Sequence, residues 1–106
     1  MVADRDLFYA AEHIEKSIIS FQIEKDGVGL KGVNMQAIVS YRPSWQKVNS
    51  MCLNNGNLFL SHARGISKIN LETCQTSLVV ELDNQPCVLT SFGTDILYTN
   101  QKKASI

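Results

Sequence analysis

Five short apolar runs, spaced about ten residues apart and separated by Gly, Asn, Asp and Pro, occupy the C-terminal two-thirds of this chain. Runs of this length are too short for packed helices but match strands, so the spacing predicts an antiparallel all-β design. In "NNGNLFLSHARGISKINLET" the turn residues Asn55, Gly56 and Asn57 lead into Leu58, Phe59 and Leu60. Beyond "SHAR", Ile66, Lys68 and Asn70 alternate with Ser67, Ile69 and Leu71. Two strands joined by a tight turn follow from that pattern. "TSLVVELD" is a third run, β-branched and closed by a turn at Asp83-Asn84 before Pro86. "CVLTSF" and "DILYTN", parted by Gly93, are the fourth and fifth.

The N-terminal half is less regular. "MQAIVSYRPSW" holds a strand over residues 35–41 that ends before Pro43, and the glycines of "DGVGLKGVN" read as a turn-rich connection. Their G-x-G-x-x-G spacing lacks the following helix that a phosphate cradle requires. Leu7, Ala11, Ile14, Ile18 and Phe21 are spaced as one face of a helix over residues 6–22, which allows an α+β alternative: that helix packed on an antiparallel sheet. The same residues also divide into two strands, "DLFYAA" and "KSIISFQI", around the polar "EHIEK". Periodicity leaves both readings open.

Comparing segments brings out a repeat. "RDLFYAAEHIEKSIISFQIEKDG", "GNLFLSHARGISKINLETCQT" and "TDILYTNQKKASI" each place a turn-forming residue before an aliphatic-aromatic step: Leu7-Phe8, Leu58-Phe59 and Leu97-Tyr98. Small residues and a polar turn follow, and the intervals suit a four-stranded unit. The phrases "NGNLFLS", "ISKI" and "GTDILYTN", with "DLFYAA" and "IISF" as a more distant copy, resemble the strand pairs of NHL-type and related six-bladed β-propellers. The Asp, Asn and Arg that mark the NHL subfamily are missing: Ala10-Ala11 and Ser61-His62 stand in the Asp region, and only Asn100 comes near it. The resemblance implies antiparallel four-stranded blades of an incomplete propeller, about two and a half at 40–50 residues each. Residues 1–106 would then be a single domain or a fragment of a larger propeller, since "QKKASI" stops within a copy.

Composition narrows the function. Ten basic and ten acidic residues balance to a formal charge of zero without long runs of either sign, which argues against a nucleic-acid face. The N-terminus lacks the apolar block of a signal sequence and no stretch approaches a membrane span, so a soluble, cytoplasmic protein is expected. Cys52, Cys74 and Cys87 match neither zinc nor disulfide spacing and are expected to be buried thiols. His13 and His62 read as solvent-facing turn residues, and Lys102-Lys103 as a solvated turn. No catalytic residue, metal ligand or cofactor site is expected.

"SYRPSWQK" is the most suggestive surface stretch. Tyr41, Arg42 and Trp45 are residue types enriched at interface hot spots, while Trp45 plugging a gap between sheets beneath Arg42 is the structural alternative. With His62 and Arg64 they form the candidate partner-binding surface. The function implied is a non-catalytic interaction module whose partner is another protein or a second copy. The alternatives are a fragment of a hydrolase- or lyase-type propeller enzyme and a small α+β adaptor.

Overall fold

A computed structural model describes residues 2–4, 6–82 and 87–100. The turn expected at 83–86 and the lysines at 102 and 103 lie outside the described residues. Among the described residues there are ten strands, no α-helix, and a single helical turn, a 3-10 turn at Pro43–Trp45. The fold is all-β and antiparallel, with two four-stranded sheets and one two-stranded sheet. Two compact units divide between Tyr41 and Arg42.

The first unit is a meander of β1 (Val2–Asp4), β2 (Leu7–Glu12), β3 (Ser17–Asp26) and β4 (Gly29–Ser40), hydrogen-bonded in that order. Residues 6–22 are therefore two strands rather than a helix, and the α+β alternative falls. Of the supposed helical face, Ile18 and Phe21 are buried, but Leu7 is 41% and Ile14 88% exposed. The turn between β2 and β3 is closed by the Glu12 carboxylate, which accepts from the Ile14 N–H at 2.9 Å and the Glu15 N–H at 2.5 Å. Phe8 and Phe21 stack across the strand pair with ring centroids 5.8 Å apart.

The glycine-rich stretch lies inside a β3–β4 hairpin. Asp26 pairs with Gly29 across a two-residue turn, and β4 begins six residues earlier than the strand expected from residue 35. Gly32 lies close against Phe21 in this hairpin, where an added Cβ would come within 3.1 Å of the ring.

The second unit opens with the 3-10 turn, followed by β5 (Ser50–Asn54), β6 (Asn57–His62), β7 (Gly65–Asn70) and β8 (Thr76–Glu81) in one meander. Asn55 and Gly56 both take positive φ, +50° and +75°, as the two-residue turn joining β5 to β6 requires. The hairpin of β9 (Cys87–Phe92) and β10 (Asp95–Asn100) packs on this sheet through Cys52, Ile66, Cys87 and Leu89, flanked by Phe59, Val80, Leu82 and Ile96. Side-chain bonds secure it: Leu89 N–H donates to Ser50 Oγ at 2.9 Å, and Ser61 Oγ donates to the Cys87 carbonyl at 3.0 Å. Asn54 Nδ2 donates to the carbonyls of Gly93 and Asp95 at 3.2 and 2.9 Å.

The three phrase-bearing segments fall on β2, β6 and β10, each the second strand of a hairpin. The pairs Asp4↔Leu7, Asn54↔Asn57 and Phe92↔Asp95 flank the three turns. Counted from the turn, Phe59 corresponds to Tyr9 and Leu97, one residue away from the aromatic matches read from sequence. That single residue decides the face, because side chains alternate along a strand. Cys52 and Cys87 are buried as expected, but Cys74 is exposed on the β7–β8 connection, where its φ is +59°.

Candidate partner-binding cleft

Pro43 begins a single 3-10 turn that the chain cannot extend, and Gln46 leaves it at a φ of +61°. The segment is tied to the β6–β7 hairpin by its backbone. Ala63 N–H donates to the Trp45 carbonyl at 3.1 Å, and Asn49 N–H donates to the Ser61 carbonyl at 2.8 Å. These bonds lay the Trp45 indole over the His62 imidazole, centroids 5.1 Å apart and planes within 18°. Both residues are only 1% exposed.

His62 is therefore no solvent-facing turn residue. It is the last residue of β6, directly opposite Gly65, and the turn proper is Ala63-Arg64. The Arg64 backbone N–H lies 3.2 Å from Nδ1, and Ser67 Oγ lies 2.7 Å from Nε2. An N–H can only donate, so Nδ1 is the acceptor and the imidazole proton is on Nε2, donated to Ser67. Burial lowers the His62 pKa to about 4, which keeps this ring neutral at pH 7.

Around this stacked pair opens a cleft of about 480 Å³. Arg42 and Arg64 line it together with Trp45 and His62, and Ser67, Ser77 and Leu78 supply hydroxyl and apolar wall. Arg42 Nη2 donates to the Thr76 carbonyl at 3.4 Å, which directs its head group toward β8. Four of the five residues chosen from sequence thus line one cleft. Trp45 does so as a buried ring stacked on His62, while the two arginines are exposed.

Tyr41 is not among the residues lining the cleft. It ends the first unit, where its N–H donates to the Lys16 carbonyl at 2.8 Å and its hydroxyl lies 3.2 Å from His13 Nδ1. Burial, and secondarily the Glu12 carboxylate, raises its pKa. Sequence reasoning missed Ser67 and Leu78 as lining residues. Ser67 lies five residues beyond His62 across a two-residue turn, a spacing that brings the two side chains together once His62 is on the strand rather than in the turn.

The chemistry open to the cleft is limited. A Ser-His nucleophile needs the imidazole to accept the hydroxyl proton, but Nε2 is the donor here and Nδ1 is engaged by Arg64. Burial raises the pKa of the Cys52 and Cys87 thiols, so neither favours thiolate. Among the described residues no group of three His, Cys, Asp or Glu side chains could hold a metal ion. No helix among them is long and apolar enough to cross a membrane. Compared with protein-family models, with curated proteins and with solved structures, the chain matches none.

Proposed function

We propose that this chain is a non-catalytic protein-interaction module built from propeller-like blades, with the Arg42–Arg64 cleft receiving the partner. The observation that carries the reading is the buried Trp45–His62 stack, with His62 bonded at both ring nitrogens, set beside two exposed arginines in one cleft. It makes the buried polar pair a structural support and leaves the exposed arginines as the cleft's reactive surface. Two four-stranded antiparallel meanders followed by a hairpin packed face to face on the second of them support the blade reading.

Site-directed photocross-linking tests it. A benzophenone side chain at Ser77, within the cleft, is expected to give a discrete adduct with another protein in extracts of the source cells. The same group at Val28, on the exposed β3–β4 turn, should not give that adduct. Adducts equal in pattern from both positions would refute a partner site at the cleft.

A further inference from the structure

Among the residues lining the cleft, charge is unbalanced. Arg42 and Arg64 are both exposed, against the single carboxylate of Glu81. Neither guanidinium is ion-paired with a described carboxylate; among the described residues Lys31 pairs with Glu24, in the first unit. Guanidinium groups present a planar fork of N–H donors that fits a carboxylate in two parallel bonds. The hydroxyls of Ser44 and Ser77 add donors beside them.

The second feature is the strand that forms the cleft wall. Among the described residues β8 is the last strand of its sheet, hydrogen-bonded to β7 and to no other strand, with the Arg42 side chain reaching the Thr76 carbonyl at its start. None of the usual edge protection by Lys or Pro appears in "TSLVVE". One β-bulge interrupts its pairing, opposite Ile66 and Ser67. Leu78 and Val79 are 53% and 49% exposed on that strand, and Leu78 also lines the cleft. An edge strand beside exposed apolar side chains and cations without a carboxylate partner among the described residues suits an extended peptide better than a small free anion, which would use the arginines alone.

From this juxtaposition we infer that the cleft recognises an acidic, extended segment of a partner protein, laid along β8 with a carboxylate side chain held between Arg42 and Arg64. The inference rests on the partner-binding reading and gives that partner its chemistry. Specificity comes from charge, since like-charged segments are repelled, while the β8 edge supplies sequence-independent main-chain pairing.

Three fluorescein-labelled octapeptides of one alternating Thr-Val background test it, carrying two central Glu, two central Gln or two central Lys residues. In fluorescence anisotropy with the full chain, the Glu peptide is expected to bind at least about tenfold more tightly than the Gln peptide, and the Lys peptide most weakly. Arg64→Glu and Arg42→Glu should each weaken the Glu peptide about tenfold or more and strengthen the Lys peptide. Arg64 lies in an exposed turn and its backbone bond to His62 is kept in the variant, so unchanged circular dichroism and melting temperature identify a folded protein. Should Arg42→Glu fail to fold, Arg64→Glu and the loss of Glu-peptide affinity between 50 and 500 mM salt carry the test. Equal affinity for the three peptides overturns the acidic partner and leaves the interaction module standing. Absence of binding by any of them also overturns it, and the cross-linking at Ser77 then judges the module separately.

Discussion

His62 illustrates how a single residue's environment sets its role. The ring is stacked on Trp45, bonded at both nitrogens and closed off from water, so its neutral form is the one the fold stabilises. A depressed histidine pKa makes the unfolded chain the better proton acceptor between the ordinary value of 6.5 and about 4. Stability from this group is therefore complete above pH 6.5 and is lost progressively as the pH falls toward 4, by roughly 3 kcal/mol at most. Urea titrations at pH 7 and pH 4.5 should show this loss, and His62→Gln should remove that share of the difference while lowering stability at pH 7. An identical pH dependence in the variant would assign the loss to other groups. The cysteines give a second residue-scale expectation. Cys74 is exposed whereas burial raises the thiols of Cys52 and Cys87, so a thiol reagent should modify one cysteine quickly in the native protein and all three only after denaturation. Trp45, Arg42 and Arg64 were legible as a group because their residue types are interface types. The burial of His62 was not legible, because a histidine at the end of a strand and one in the adjoining turn differ by one position in sequence.

At the scale of elements, strands with plain alternation and turn-forming flanks were the legible ones: β6 to β10 all fall on runs visible in the sequence. β3 was ambiguous for a physical reason. Its ladder with β4 shifts register between Ile18 and Ile19 and again between Ser20 and Gln22, the extra residues lying on β4, and Ser17, Ile18, Ser20 and Phe21 are all buried, so burial along β3 does not follow a period of two. Asn54 is the element-scale device that fixes the β9–β10 hairpin, since one buried amide satisfies two carbonyls of its turn, 39 and 41 residues away. Asn54→Leu leaves those carbonyls without this donor and should destabilise the second unit by about 2 kcal/mol. Hydrogen exchange should localise the effect, with amides of residues 87–100 opening before those of β6 and β7. Gly65 sets a stricter constraint on the hairpin beneath the cleft. Its φ is +139°, and a Cβ would run into the Val80 carbonyl oxygen and come within 2.9 Å of its carbon. Gly65→Ala should therefore cost several kcal/mol and yield little folded protein, whereas Ala63→Gly in the same turn is tolerated within about 1 kcal/mol.

At the scale of the whole molecule, sheets that bury both faces coexist with faces and edges that do not. Leu58, Leu60 and Ile69 are fully buried in the β5–β8 sheet, and Cys52 and Ile66 are buried against the hairpin. The hairpin itself buries Cys87 and Leu89 but leaves their alternates exposed: Val88, Phe92, 71% exposed, and Leu97, which pairs with Thr90 on that same face. A formal charge of zero supplies no long-range repulsion to keep such faces apart. Concentration-dependent self-association follows, strongest near the isoelectric point of about 6.7 and driven by apolar contact rather than by ion pairs. Sedimentation velocity at rising protein concentration should show it, with little weakening at 500 mM salt, because apolar association is not screened. The double variant Phe92→Lys and Leu97→Glu places one charge of each sign on the face without changing the net charge. It should return the protein toward a single slower species while leaving the circular dichroism of the sheets unchanged. If the variant associates as strongly as the parent, the β9–β10 face is not the contact, and the open edges of β4 and β8 become the surfaces on which association has to be explained.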